Sequence, residues 1–304
     1  MRALLVAAGC LWAAFASFAV SSAGTDPSSR SNATTNDQPR VEKKTCGDPV
    51  GVFTGNAYET AEDLRVACPD LDLVMFRFYS SGSMREGPLG FGWTHSYDWR
   101  VGRDGGKVVV YASGERWPSD SAHVFTLPSP GSSVWNADGY ELRRSSDGLW
   151  TVVTPDALAY SFDASGRLSS MTTWNGTCVA ISRDAAGRVA QASHSCGKSL
   201  TFEYGADGLL SRVSTPDPTV WVEYAHGQNG RYAVLSSAIR HVGARASTNL
   251  YAYSSVPRPG VLALPPPDSI RVPQRTSPRS QDRRPVMVGK RDANGIEGSF
   301  YVQH

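Results

Sequence analysis

From residue 158 to residue 224 apolar and polar positions alternate in runs of about five: LAYSF at 158–162, VAISR at 179–183, LTFEY at 200–204 and VWVEY at 220–224. Alternation over so short a span is the signature of a half-buried β-strand. The runs are separated by turns that recur. DASG, DAAG and GADG end on glycines at 166, 187 and 208, and a second turn falls near Pro155, Gly176, Gly197 and Pro218. Each period of 21 residues therefore holds two strands and two turns. The pattern predicts an all-β fold, an antiparallel β-hairpin repeat array. A β-sandwich with evenly spaced strands is the alternative.

Outside the array the pattern is less regular. Leu71 to Tyr79 is apolar on both faces apart from Asp72 and Arg77, which predicts a central strand. Arg77 reads as stacked on aromatics or paired with a carboxylate such as Asp63 or Asp98, with anion binding as the functional alternative. Three glycines and a proline between residues 87 and 92 mark a bulge or a close backbone approach. Trp93, Tyr97 and Trp99 alternate as one face of a strand. They read as core, with a sugar-stacking platform as the functional alternative. Asp104-Gly105-Gly106 begins a further hairpin, and Asp138-Gly139 and Asp147-Gly148 read as turns of degenerate repeats. The array is expected to end at residues 250–253, still alternating, and so to offer an open strand edge for self-association or for strand addition by another chain.

The two ends differ from this. Residues 1–23 combine Arg2, an apolar run and Ser21-Ser22-Ala23, the order of a secretory signal. A polar linker follows at 24–44, with too little apolar content to offset its ordering entropy. The organisation expected is then an N-terminal β module at 45–117, repeats at 118–256 and a Pro/Arg-rich disordered tail at 257–304.

A net charge of +2 over 304 residues lacks the concentrated basic face of a nucleic-acid binder. Removal of the signal would leave four cysteines, Cys46, Cys68, Cys178 and Cys196. In an exported chain an even count predicts two disulfides, for which three pairings exist. Folding of the hairpin around Gly187 would bring Cys178 near Cys196, leaving Cys46 for Cys68. No Cys-x-x-Cys and no histidine ligand spacing is present, so no metal or cofactor is expected. Ser195-Cys196-Gly197-Lys198 has the Ser-x-x-Lys spacing of some acyl-transfer enzymes, but it falls on a recurring turn without the motifs that accompany it there. The repeat aspartates suit turn capping rather than calcium. The residues point away from an enzyme.

The segments FDASGRL (162–168), RDAAGRV (183–189) and YGADGLL (204–210) resemble the repeats of the YD-repeat (Rhs) family, although Arg183 replaces the aromatic and Gly205 the aspartate. Upstream, GDPV (47–50), TGN (54–56), RFYSS (77–81) and LGFGWTHSY (89–97) are similar to the module that precedes such repeats. The resemblance implies a partial β-shell that encloses or presents a toxin, effector or wall-associated segment. The partner would be a downstream repeat or toxin segment, and the location secreted or at the cell surface. It further implies that the chain corresponds to the N-terminal piece of a larger design. A secreted module binding carbohydrate or another cell-surface ligand is the alternative.

Overall fold

The computed structural model describes residues 57–83, 85–112, 122–257, 283–291 and 297–299. The expected signal and linker, Cys46, the motifs at 47–50 and 54–56, and residues 258–282 of the expected tail lie outside them. Within the described residues every regular element is a β-strand and every pairing is antiparallel, so the fold is all-β.

The repeats build one sheet of 14 strands, β9 to β22, hydrogen-bonded in sequence order. It opens on β9 (Ser132–Trp135), β10 (Glu141–Arg144) and β11 (Trp150–Val153). The regular repeats follow as β12 (Ala159–Phe162), β13 (Leu168–Thr172), β14 (Cys178–Arg183), β15 (Val189–His194), β16 (Ser199–Tyr204) and β17 (Leu210–Ser214). Longer strands complete it: β18 (Val220–Asn229), β19 (Tyr232–Val242), β20 (Arg245–Pro257), β21 (Arg283–Arg291) and β22 (Glu297–Ser299).

The period has a visible cause. Gly166, Gly187 and Gly208 adopt φ of +76°, +77° and +81°, a region that L side chains avoid. At each, the glycine N–H closes the turn on the residue three back, at 2.9, 2.9 and 3.0 Å. The carboxylates of Asp163 and Asp184 accept backbone N–H groups two and four residues on, which fixes the turn from within. A register shift at Phe162, Arg183 and Tyr204 sets a bulge beside each turn. The second turn is less regular than the sequence implies. The positive-φ position equivalent to Gly176 and Gly197 is Ala157, so the first of these repeats is shorter.

An N-terminal unit packs on this sheet. β2 (Leu73–Ser80) lies between β1 (Tyr58–Val66) and β5 (Trp93–His95), the central position its two-sided apolar pattern predicts. A short hairpin, β3 (Glu86–Gly87) with β4 (Gly90–Phe91), and a three-stranded sheet of β6 (Arg100–Asp104), β7 (Lys107–Tyr111) and β8 (Ala122–Thr126) complete it. Inward residues of both parts, from Leu64, Met75 and Trp93 to Leu168, Leu200 and Val222, form one continuous core.

Two expectations need correction. The segment expected to be a tail contributes β21 and β22 where it is described. β21 pairs with β20, and Val286 and Met287 are buried. Residues 250–253 are therefore an interior strand rather than an open edge. Prolines cluster in 258–282, while the short apolar run at 286–288 has the apolar content to pair. Second, the strand carrying Trp93 stops at His95, so Tyr97 and Trp99 stand on the connection to β6 rather than on one strand face.

Candidate functional site

The features with chemical character lie where the N-terminal unit meets the sheet. Residues 57–99 contact the sheet at widely separated strands. Leu168 N donates to Trp99 O at 3.2 Å, Leu210 N to Pro88 O at 2.8 Å and Met287 N to Tyr79 Oη at 2.8 Å. Gly90, at φ +97°, lies so close to β19 that a Cβ would stand 2.9 Å from Ala233 O, and Phe91 packs on Tyr232 at 4.4 Å between ring centroids. This is the close approach predicted from the glycines of residues 87–92. At about 4.8 Å per strand, β13 to β21 would span roughly 38 Å if flat. A unit of this size is about 24 Å across, so the sheet must bend round it.

At the centre of the contact is a buried ion pair. Arg77 is 0% exposed and donates from both Nε and Nη2 to Asp63, the latter at 2.8 Å. Tyr224 Oη donates to Asp63 at 2.6 Å, and Arg77 Nη1 donates to Tyr251 Oη at 2.8 Å. The guanidinium lies over Trp93, Tyr224 and Tyr251. Burial alone would lower the Arg77 pKa, but the Asp63 carboxylate carries it well above its ordinary value. Burial and Asp63 together push the Tyr224 hydroxyl well up, and burial raises Tyr251 to about 12. The pair joins β1 and β2 to β18 and β20. The sequence offers aromatics, or a carboxylate such as Asp63 or Asp98, as the partners of Arg77, but nothing in it singles out Tyr224 or Tyr251 from other tyrosines of the array.

Beside this network a cleft of about 360 Å³ opens between the N-terminal unit and the repeat turns, lined by Arg85, Arg100, Arg167, Arg183 and Arg188. Its guanidiniums hold the repeats together. Arg167 Nη1 donates to Gly187 O of the next turn at 2.7 Å, and Arg188 bonds Asp184 at 2.7 Å while lying over the Tyr204 ring. Tyr204 Oη donates to Val189 O at 2.9 Å, and Arg183 Nη2 donates to Leu168 O, one repeat earlier, at 2.8 Å. Arg183 thus supplies the hydrogen bond that the aromatic hydroxyl supplies in the next repeat. Burial, with Arg167 nearby, lowers its pKa even though Asp163 opposes the shift. His95 also lines the cleft, and burial lowers its pKa to about 4.

The residues singled out for stacking have no face to offer. Trp93, Tyr97 and Trp99 are 0%, 1% and 2% exposed. Trp93 Nε1 donates to Tyr253 Oη at 2.8 Å, and Trp99 stacks on Tyr160. This is the core reading, and the platform reading is withdrawn. Ser195 and Lys198 do not form a nucleophile and base. Lys198 Nζ donates to Ala67 O at 2.7 Å, while Ser195 Oγ faces the N–H of Cys178.

The cysteines are also placed differently from expectation. The residue across from Cys178 is Ser195, whose N–H donates to Cys178 O at 2.8 Å. Cys196 lies one position further, in the turn closed by Gly197 on His194. One position changes the face of a strand, and Cys68, Cys178 and Cys196 are all unbonded thiols in the structure. Cys196 instead meets Cys68 and His194, their ligand atoms lying within 4.8 Å of one another. Sequence spacing could not show this, because Cys68 comes from the connection between β1 and β2.

Two comparisons with known proteins bear on the class of protein. A family model described as "Domain of unknown function (DUF6531)" matches residues 47–117. Over 208 residues, 63% of the chain, the sequence is 27% identical to "Double-stranded DNA deaminase toxin A" of Burkholderia cenocepacia (strain H111). The chain spans 14% of that protein's length.

Proposed function

We propose that this chain is a non-catalytic structural part of an exported, toxin-type protein of the Rhs kind. In this reading the 14-stranded sheet is a stretch of β-shell wall, and the N-terminal unit is the plug around which the wall is laid. The observation that carries the reading is the spread of contacts from β13 to β21 onto one small unit. A sheet bent to this degree and ordered strictly by sequence can extend only by adding strands after β22 or before β9. The similarity to a toxin supports the class of protein, and the repeats support the architectural role. The partner is a further repeat-bearing or toxin segment, in the same or another polypeptide, and the location is outside the cytoplasm.

The relative's name invites a deaminase reading. A zinc deaminase uses a His-x-Glu and a Pro-Cys-x-x-Cys to hold its metal and move a proton, and this chain contains neither motif. We therefore do not carry that activity over.

Cross-linking mass spectrometry on protein isolated from the medium or envelope of its source tests the proposal. The expected result is cross-links from residues 283–299 to a segment with Asp-x-x-Gly turns at 21-residue spacing. A monomer without such a partner, retained on a glycan column, would support the surface-binding alternative and reject the structural role.

A further inference from the structure

We propose that Cys68 and Cys196 form a disulfide that fastens the N-terminal unit to the repeat sheet. The two sulfurs lie within 4.8 Å of one another. Their surroundings hold them there. Cys68 N donates to Asp72 Oδ1 at 3.0 Å, and Lys198, two residues past Cys196, donates to Ala67 O, one residue before Cys68. His194 Nε2 lies 3.2 Å from Pro69 O. Ala67 and Pro69 of the β1–β2 connection are thus tied to the β15–β16 turn, one on either side of Cys68.

The same cluster could be taken for a metal site, but the imidazole argues otherwise. His194 Nδ1 accepts the N–H of Cys196 at 3.0 Å, and Nε2 must carry its proton to bond the Pro69 carbonyl. Neither nitrogen keeps a lone pair for a metal. Two thiols then remain, fewer ligands than a structural zinc requires.

The two thiols are unequal, which sets the order of reaction. Cys196 is exposed and Cys68 half-buried, and burial and then the Cys196 contact raise the Cys68 pKa. The Cys196 thiolate attacks a disulfide oxidant, such as oxidised glutathione or an exporting-compartment dithiol oxidase. One thiolate leaves and a mixed disulfide forms. Cys68 loses its proton to solvent and attacks the Cys196 sulfur, expelling the second thiolate. Two protein thiols are oxidised, and one oxidant disulfide is reduced to two thiols.

The biological use of this bond rests on the export proposed above, but its pairing can be tested separately. The full chain is purified reduced, treated with oxidised glutathione, alkylated and mapped without reduction. The expected result is a peptide carrying Cys68 linked to one carrying Cys196, formed equally in Cys178→Ser. The oxidised form should melt higher by about 5–10 °C, a gain absent in Cys196→Ser. Cys196 linked to Cys178 or Cys46, or Cys68 and Cys196 both alkylated after oxidation, overturns the pairing. So does one zinc ion retained by the reduced chain through dialysis and lost in His194→Ala. Recovery of the chain only from the cytosol would reject export and leave the in vitro pairing result to stand or fall on its own.

Discussion

Gly166 and Gly176 share a left-handed backbone and differ in what surrounds them. A Cβ on Gly166 would stand 2.2 Å from Val101 O, whereas one on Gly176 would meet nothing within 4 Å. Gly176→Ala should therefore cost only the conformational strain, about 1–2 kcal/mol. Gly166→Ala should cost roughly 3 kcal/mol or more, because it also pushes β6 from the turn it docks on. Urea unfolding of the two variants checks this, and equal losses would show that the docking contributes little. Ala157 presents the converse case, holding φ +62° without being glycine. Ala157→Gly should stabilise the fold by up to about 1 kcal/mol, strain relief outweighing the extra freedom of the unfolded chain. Its midpoint in urea reads that directly. His95 supplies a pH dependence. Its folded pKa of about 4 lies below the ordinary histidine value of 6.5, so the unfolded chain binds the proton first. Stability should be unaffected by this group above pH 6.5 and fall as pH drops towards 4, by about 3 kcal/mol in all. The slope in that window should flatten in His95→Gln. At this scale the turn residues were legible because their roles are local: aspartate caps and glycine turns need only their neighbours. The fate of the aromatics was decided by partners more than a hundred residues away, such as Tyr253 for Trp93.

Among the elements, β2 and the repeat strands follow from the apolar pattern, since each carries its own alternation. The union of β1 and β2 with β18 and β20 depends on the Arg77–Asp63 pair, for which the sequence leaves Asp63 and Asp98 as alternative carboxylates. Asp63→Asn leaves a buried guanidinium without its countercharge and should cost about 3–5 kcal/mol, against about 1 kcal/mol for Tyr224→Phe. Thermal unfolding of both variants tests whether charge or a single hydrogen bond dominates. β21 was missed because proline density upstream masked a short apolar run whose partner, β20, precedes it by a long connection. A chain ending at Pro257 would strip that partner from β20 and remove the N–H that reaches Tyr79 Oη. It should be less stable than the full chain and self-associate with concentration, as an exposed edge does. Sedimentation velocity showing an equally stable monomer would mean that β21 is not integral to the sheet.

For the whole molecule the repeat period predicts a hairpin array but not its curvature, which comes from packing against residues 57–99. The bend and the sequence-ordered strands make the described residues one body with a defined direction of growth, and that is the central claim. Hydrogen exchange at the backbone amides of β22 tests it most directly, comparing the isolated chain with the protein as purified natively from its source. The account predicts that those amides of residues 297–299 that face away from β21 exchange freely in the isolated chain and are protected at least about a hundredfold in the native particle, where a further strand pairs with them. Equal exchange in both states, with no protection gained at β9 either, would contradict it.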